Sequence, residues 1–446
     1  GVEVSVEQIK PGPRVTQFGV APGWIRRQRG ARGASTPSLE QLARVRVDNI
    51  LAREKDLTLA LKAPSLRMEA PVPGEALVGV EVPNPDPLLV ALRAVVEDRR
   101  FQEIWLKGGL PLALGQSTGG QAVAVDLREM PHLLIAGATG SGKSVCINGI
   151  ISALILTQPP DKLRLLLIDP KRVELTPFNG IPHLIAPVIL DSDLVVTALK
   201  GMLREMQRRY NLFEKLRVRN IEAYKQHPQG TVPMPYLVLI IDELADLMMA
   251  SSYEVEHSLV RLSQLGRATG IHLVIATQRP SVNVVTGLLK ANISSRISFA
   301  VASQVDSRVI LDGAGAEKLL GRGDMLFLSP DAVRPHRLQG TFVSDGEVEG
   351  LADFWKSQHG PPLPVIPVLE EAPEPVLEEE SAESDDELLG EARSLAQRYS
   401  HVSPSLLQRR LRIGYPRAAR LLDLLEEEGS VGPGEPGKSR PVQKLR

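Results

Sequence analysis

Between residues 88 and 360, nearly continuous aliphatic runs alternate with segments that carry apolar residues at helical spacing. Such runs, rich in β-branched side chains, are typical of a parallel sheet that is buried on both faces. We therefore predict an α/β fold with a parallel sheet whose strands are residues 132–137, 163–169, 236–242, 271–278 and 297–302. Helices that would cover this sheet are predicted at residues 144–157, 194–225 and 255–268.

The pattern changes on both sides of this region. It predicts an N-terminal domain at residues 1–87, the larger domain at 88–360, a linker at 361–390 and a C-terminal domain at 391–446. The first domain carries strand-like segments at 14–20 and 77–82 around a helical pattern at 39–61, and we expect a small α/β domain. The linker is rich in Pro and Glu and has too little apolar surface to order itself, so we expect it to be flexible and acidic.

The loop after the first predicted strand has the spacing of a nucleotide-phosphate cradle. It reads Gly137, Ala138, Thr139, Gly140, Ser141, Gly142, Lys143, Ser144, Val145. Its glycines allow backbone N–H groups to point at a β-phosphate, because they tolerate positive φ and carry no Cβ. Lys143 is expected to reach the β- and γ-phosphates of ATP, and Ser144 to ligate Mg²⁺. The alternative is a Gly/Ser surface turn that fits by accident, which the flanking strand and apolar helix make less attractive.

Two further strands end in residues that suit a hydrolytic site. Asp242 and Glu243 follow a buried strand, where two carboxyl groups are costly unless they act at its tip. We predict that Asp242 positions Mg²⁺ and that Glu243 is the general base, the alternative being a helix N-cap acid followed by an exposed Glu. Gln278 ends the next strand at the same rim and is expected to sense the γ-phosphate, unless it is only a polar residue before a turn.

Hydrolysis also requires a cation for the charge that develops on the transferred phosphoryl group. A cation from a neighbouring subunit would make hydrolysis depend on assembly. Arg267 is our first candidate, followed by Arg296 and then Arg279. For each of them a surface or salt-bridged arginine is the alternative.

Composition and charge narrow the class of protein. With 446 residues, 43% of them apolar and 24% charged, the chain is expected to form two or three globular domains. The net charge of −1 gives no global attraction to nucleic acid, so such binding would need local patches. The basic stretch at 26–32 is one, although a solvated loop is the simpler interpretation. Cys146 has no second cysteine to pair with, which fits a reducing compartment and a place in the core.

Several long segments resemble the FtsK/SpoIIIE double-stranded DNA translocases. They are residues 130–145, 168–171, 180–184, 208–210, 218–220, 276–281, 307–312 and 321–326. The resemblance implies a RecA-like P-loop ATPase core in a homo-hexameric ring, with ATP at subunit interfaces and double-stranded DNA in the pore. It also implies that Arg267 completes a neighbour's site and that residues 279–292, with Arg279 and Lys290, face the DNA backbone. Lys290 has the alternative of an exposed lysine at a helix end.

The resemblance also implies a cellular setting. That family acts on the cytoplasmic side of the bacterial cell membrane at the division septum, and its membrane-spanning N-terminal part has no counterpart in this sequence. The first residue is Gly rather than Met, so we expect a piece of a longer protein. Residues 24–37 are longer and more basic than the family's first domain leads us to expect.

The C-terminal domain has the spacing of a winged helix-turn-helix. Ser403 and Pro404 are a favourable helix start, Gly414 separates two helical segments, and residues 429–442 resemble a wing. Because such a domain places its second helix in the major groove, we predict DNA contacts from Arg409, Arg412, Arg417, Arg420 and Lys438. A protein-binding winged helix is the alternative.

Residues 410–420 resemble the gamma domain of the same translocases. The resemblance implies recognition of short polar guide sequences and contact with a site-specific tyrosine recombinase. Pro416 stands where a polar residue is expected, which leaves one base or phosphate contact open.

Together these features predict an ATP-dependent DNA translocase for chromosome segregation at division or sporulation, directed by its winged helix. One alternative is a related ring motor that moves protein or single-stranded conjugative DNA. Another is a nucleotide-gated DNA-binding regulator. A C-terminal winged helix argues against a secretion motor, and processive movement would argue against a regulator.

Overall fold

The computed structural model describes residues 2–28, 40–72, 74–230, 232–358, 360, 364–370, 382–397, 399–411, 415–432 and 439–442. The chain divides into two units, Gly1–Glu370 and Glu371–Arg446. Hydrophobic clusters form the core of each unit separately. None of the helices in the described part of the chain combines the length and the apolar character that crossing a membrane requires.

The N-terminal region is built on an antiparallel sheet. Its elements are β1 (Val4–Pro11), β2 (Val15–Pro22), β3 (Trp24–Gln28), β4 (Glu40–Arg44), α1 (Val47–Leu51), α2 (Glu54–Ala60), β5 (Arg67–Glu69) and β6 (Val78–Pro83). The main sheet has the order β1-β2-β6-β5, and the strands predicted at 14–20 and 77–82 are confirmed as the neighbours β2 and β6.

The helical pattern predicted at 39–61 is partly wrong. Its first residues form β4, which pairs antiparallel with β3, and only α1 and α2 are helical. A strand formed by pairing with a segment distant in sequence overrides a local helical pattern. The basic stretch at 26–32 contributes its first three residues to β3, and residues 29–39 lie outside the described part.

The larger region follows from Leu92. Its strands are β7 (Pro111–Ser117), β8 (Ala122–Asp126), β9 (His132–Ala136), β10 (Leu163–Ile168), β11 (Tyr236–Ile241), β12 (Ile271–Thr277), β13 (Ser295–Phe299), β14 (Asp324–Leu328) and β15 (His336–Gly340). Its α-helices are α3 (Leu92–Val96), α4 (Arg99–Leu106), α5 (Lys143–Thr157), α6 (Ser192–Leu216), α7 (Ile221–Gln226), α8 (Leu244–Thr269), α9 (Gly287–Asn292), α10 (Gln304–Leu311) and α11 (Asp345–Ser357). Short 3₁₀ turns lie at Thr176–Phe178 and Ala316–Lys318.

The strands from β7 to β15 form one mixed sheet, in the order β10-β11-β12-β9-β13-β14-β15-β7-β8. The first five in this order are parallel and almost wholly buried, so the five predicted strands are confirmed. The remaining four are antiparallel, and the sequence pattern did not reveal them. β15, for example, has the polar sequence His-Arg-Leu-Gln-Gly. It can still form a buried strand because acids that are distant in sequence neutralise its buried arginine.

Helices cover both faces of this sheet. The pattern at 194–225 forms two helices rather than one, because the chain turns at Arg217, which has φ of 55°. α8 extends the predicted helix at 255–268 back to Leu244 and is interrupted at Ser251, whose φ of −147° and ψ of 63° are not helical. Because the five strands are parallel, their carboxyl ends all lie at one rim of the sheet, where α5 and α8 begin.

Part of the predicted linker is packed rather than free. Ile366 and Val368 are buried in the cluster beneath α6, and Gly201 of that helix has no room for a Cβ because the carbonyl oxygen of Val368 would lie 2.2 Å away. Arg204 donates a hydrogen bond to the Glu370 carbonyl. Apolar side chains in a Pro/Glu-rich sequence thus order residues 364–370, and residues 371–381 lie outside the described part.

The C-terminal unit is a small helical domain. Its elements are α12 (Ala382–Ala396), β16 (His401–Val402), α13 (Pro404–Leu411), α14 (Tyr415–Glu427) and β17 (Arg440–Pro441). Leu407, Leu421 and Leu425 pack in its core. β17 pairs antiparallel with β16, and residues 433–438 of the predicted wing lie outside the described part.

The buried histidines predict a stability that declines in acid. His132, His183 and His272 are buried, and desolvation lowers their pKa to about 3, about 4 and about 4. Each should be neutral when folded and protonated when unfolded below about pH 6.5. Their stabilisation is therefore present above that pH and is lost as the pH falls, by about 1.4 kcal/mol per pH unit for each proton. Urea unfolding at pH 7.5, 6 and 5 should show this decline.

One variant tests the assignment of that decline. His183→Gln should make the unfolding free energy less dependent on pH between 5 and 6.5 than it is in the wild type. A dependence as steep in His183→Gln as in the wild type would contradict the role of the buried imidazole.

Candidate nucleotide-binding site

The loop from Gly137 to Ser144 joins β9 to α5 and wraps the first turn of that helix. Gly142 caps α5 with φ of 114°, a backbone conformation that L residues rarely adopt. Gly137 has no space for a side chain, since a Cβ there would lie 2.6 Å from the Cβ of Phe299. The loop therefore leads directly into a helix N-terminus, where the unpaired backbone N–H groups of the first turn favour an anion.

A second glycine segment supports this loop from behind. The Gly323 N–H donates to the Ser141 carbonyl at 2.8 Å, and the Gly340 N–H donates to the Gly323 carbonyl at 2.7 Å. A Cβ on Gly142 would lie 2.6 Å from the backbone nitrogen of Gly323. The antiparallel half of the sheet thus fixes the position of the loop through backbone contacts.

Lys143 and Asp242 form a buried ion pair at the rim of the sheet. The Lys143 Nζ lies 2.6 Å from both the carbonyl oxygen and Oδ1 of Asp242, and both side chains are almost wholly buried. Within the described part of the chain, Oδ2 of Asp242 has no hydrogen-bond partner. Ser144 is partly exposed at the start of α5. The Oδ2 atom of Asp242 and the hydroxyl of Ser144 are hard oxygen ligands of the type that Mg²⁺ takes, so the donor set fits this ion.

Glu243 lies beside this pair and is held by several donors. Its carboxylate accepts hydrogen bonds from Lys171 Nζ at 2.8 Å, from Thr277 Oγ1 at 2.7 Å and from the Gln278 N–H at 3.1 Å. Burial alone would raise the pKa of Glu243, but these hydrogen bonds outweigh burial and lower it from the ordinary value. The group is therefore ionised at neutral pH. Glu243, rather than Asp242, caps α8, and it is buried, unlike the exposed Glu of the alternative interpretation.

Gln278 reaches the phosphate loop. Its Oε1 accepts a hydrogen bond from the Thr139 hydroxyl at 3.2 Å, and the side chain is partly buried. The sequence-predicted loop, both acids and Gln278 are therefore brought together at one rim, as expected for strand ends in a parallel sheet.

A cavity of about 650 Å³ opens onto the phosphate loop. Ala138, Lys143, Ser144 and Val145 line its loop side, and Arg322 is exposed at its edge. The other wall is apolar and includes Leu88, Leu89 and Phe342, with 69%, 66% and 42% of each residue exposed. A pocket of this size, with a cradle at one end and exposed apolar groups at the other, fits a nucleotide. Sequence reasoning did not identify Arg322 or the apolar wall.

The three candidate arginines have different surroundings. Arg267 is exposed in the last turn of α8, just before β12, whereas Gln278 follows the end of that strand. The seven residues of β12 span about 23 Å, so Arg267 lies near the start of this strand, at the opposite end from the phosphate loop of the same chain. Arg296 is buried and bonded to the Ile293 and Ile310 carbonyls and to Asp312. Arg279 is exposed and contacts the sulfur of Met249.

The residues predicted to contact DNA are described only in part. Lys290 lies partly exposed in the last turn of α9 and is paired with Asp312 at 2.8 Å, and its contact with DNA stays a prediction. Arg409 is exposed on α13. Arg412 and Lys438 lie outside the described residues, as do the side chains of Arg417 and Arg420.

Comparison with known proteins shows to which family the chain belongs. Three family models match it in order: the FtsK alpha domain at residues 1–84, the FtsK/SpoIIIE family at 91–282 and the Ftsk gamma domain at 383–444. The chain belongs to the FtsK/SpoIIIE family. It is 48% identical to the DNA translocase SpoIIIE of Bacillus subtilis (strain 168) and 47% identical to the DNA translocase FtsK of Sporosarcina ureae. Each alignment covers 99% of this chain and 54% of the relative, so the chain spans about half the length of these FtsK/SpoIIIE proteins.

Solved structures agree with the fold of this FtsK/SpoIIIE chain. The conjugation coupling protein TcpA from pCW3, in a monomer form with ATPγS, aligns over 79% of this chain and 93% of its own with a TM-score of 0.52 and 21% identity. The cytoplasmic domain of the type VII secretion ATPase EccC of Thermomonospora curvata aligns over 60% of this chain and 33% of its own, with a TM-score of 0.52 and 25% identity. The predicted P-loop ATPase core is therefore confirmed as a fold.

The contact between Gly142 and Gly323 predicts a sensitive position. Gly142→Ala combines left-handed strain of about 1 to 2 kcal/mol with a clash against backbone, so the loop should shift and bind nucleotide at least roughly tenfold more weakly. Titration with a fluorescent ATP analogue measures this. Gly321→Ala is the matched control, because that glycine also has positive φ but meets nothing within 4 Å. Equal losses in both variants would show that strain alone, rather than the contact with Gly323, is responsible.

Proposed function

We propose that this chain is the motor and DNA-reading part of an ATP-dependent double-stranded DNA translocase. The observation that carries the proposal is the convergence of Lys143, Asp242, Glu243 and Gln278 at the strand rim, in a chain of the FtsK/SpoIIIE family. The matched relatives are named DNA translocases, which supports the same activity here.

The geometry supports a division of labour in ATP hydrolysis. The loop N–H groups and Lys143 bind the β- and γ-phosphates, and Gln278 senses the γ-phosphate from the adjoining strand. Glu243 takes a proton from the attacking water as general base. Ser144 and Asp242 would hold Mg²⁺, which supplies charge neutralisation at the phosphates. The adenine ring of ATP would lie against the apolar wall of the cavity, which includes Leu88, Leu89 and Phe342.

Assembly in a ring would complete this site. Arg267 is exposed at the end of β12 that is remote from the phosphate loop of the same chain, which suits a cation that acts on a neighbour's phosphates. Arg296 is engaged in holding the chain between α9 and α10, so it is a poorer candidate. We infer a homo-hexamer with ATP at the subunit interfaces.

The C-terminal domain would give the motor direction. The gamma-domain match supports sequence-specific contacts to DNA from Arg409, Arg412, Arg417, Arg420 and Lys438. Arg279 and Lys290, in the segment after β12, would follow the DNA backbone, Lys290 after release from Asp312. The same match favours a DNA motor over a secretion motor. A tyrosine recombinase and a place at the division septum, on the cytoplasmic side of the membrane, complete the proposed setting.

The decisive measurement is ATP-driven displacement of a third strand from duplex DNA. Wild type should displace it, whereas Lys143→Ala should lose at least roughly a hundredfold in rate because the phosphate charge is no longer stabilised. Lys107→Ala, which removes an exposed lysine on another face, should retain activity. Wild type and Lys143→Ala behaving alike would refute the motor.

The inferred interface can be tested by mixing inactive subunits. Arg267→Ala and Glu243→Gln should each abolish ATP hydrolysis alone. In an equal mixture, about a quarter of the interfaces would join an intact Glu243 to a neighbour's intact Arg267, so ATPase activity should reappear. Arg261→Ala, exposed on the same helix, should be active alone. No recovery in the mixture would count against a cation supplied by the neighbour.

A further inference from the structure

The turn after β10 is held in place by one buried carboxylate. Asp169 is fully buried and accepts hydrogen bonds from the backbone N–H groups of residues 171–175 at 2.9 to 3.1 Å. A carboxylate with this many donors fixes the path of the chain around it. The turn therefore sets where the Lys171 side chain begins.

From this turn Lys171 extends to Glu243. Its Nζ lies 2.8 Å from Oε2 of the carboxylate, and 35% of the Lys171 side chain is exposed against 2% for Glu243. Oε1 is occupied from the other side by Thr277 Oγ1 at 2.7 Å and by the Gln278 N–H at 3.1 Å. Both oxygens are thus engaged by donors of the protein, whereas a general base needs a lone pair directed at the attacking water.

Thr277 connects this carboxylate to the segment that follows β12. Its hydroxyl donates to Glu243 and at the same time accepts from the Arg279 N–H at 3.1 Å. Arg279 begins the segment 279–286 that leads into α9. A displacement of that segment would break the bond from Arg279 and free the hydroxyl to rotate away from Glu243.

We propose that Lys171 and Thr277 are positioning residues that hold Glu243 in a resting geometry. DNA bound at residues 279–286 then releases the carboxylate to the attacking water. The inference rests on the proposed role of Glu243 as general base and adds how that base is regulated. It makes hydrolysis without DNA slow by design of the site rather than by lack of a catalytic group.

Steady-state ATPase rates with and without duplex DNA test the proposal. Lys171→Met should raise the rate without DNA roughly tenfold and reduce the stimulation by DNA, because a charge-assisted hydrogen bond no longer competes for the carboxylate. Thr277→Val, similar in shape, should also reduce the stimulation. Lys171→Arg keeps the charge and should restore the low rate. Arg172→Gln, on the same turn but exposed, is the matched control.

The outcomes separate this inference from the function on which it rests. If Lys171→Met kept a low rate without DNA while melting like wild type, restraint by Lys171 would be wrong. A faster Lys171→Met with undiminished DNA stimulation would disprove the connection through Thr277. A wild type that hydrolyses no ATP with or without DNA would instead contradict the proposed function.

Discussion

The site depends on a buried pair of opposite charges, Lys143 and Asp242, at the rim of the parallel sheet. Neither side chain is stable alone in such a place, because an unpaired buried charge costs several kcal/mol. Folding of the sheet therefore brings Lys143 and Asp242 together, and the ion pair holds both side chains in position. Oδ2 of Asp242 has no donor among the described residues, so the pair keeps one ligand atom free at the place where the phosphate loop ends.

A second buried cluster of charges joins the N-terminal region to this loop. Arg337 of β15 donates to Glu81 of β6 at 2.8 Å and to Asp324 of β14 at 2.6 Å, and all three side chains are almost wholly buried. Asp324 adjoins Gly323, whose backbone contacts the phosphate loop. Removal of any one partner would leave an uncompensated charge. The N-terminal sheet is thereby linked to the phosphate loop through buried ion pairs and the backbone of Gly323.

The sequence predicts what is local and what general topology implies. The phosphate loop is one contiguous stretch, and the rule that parallel strands end at one rim was enough to bring Asp242, Glu243 and Gln278 to it. Of the antiparallel strands, β15 escaped prediction because Arg337 makes it look polar, and the acids that neutralise Arg337 are distant in sequence. The ordered segment around Val368 escaped for a related reason: its burial depends on Gly201, a residue with no visible signal in the pattern. The pairing of Lys171 with Glu243 could not be predicted either, because it joins the ends of two strands that are distant in sequence.

The strand β12 has a particular place in the proposed assembly, because its two ends belong to different sites. Its last residue, Thr277, contacts Glu243 and is followed by Gln278 at the chain's own nucleotide cavity. Its first residue follows the helix turn that carries Arg267, about 23 Å away along the strand. A strand buried on both faces transmits displacement rather than absorbing it, because a packed interior has little free volume. Movement of the segment after Thr277 would therefore reach Arg267, the arginine that we propose acts on a neighbour's phosphates. In the proposed ring, DNA bound after β12 of one subunit would then bias hydrolysis at the site of its neighbour.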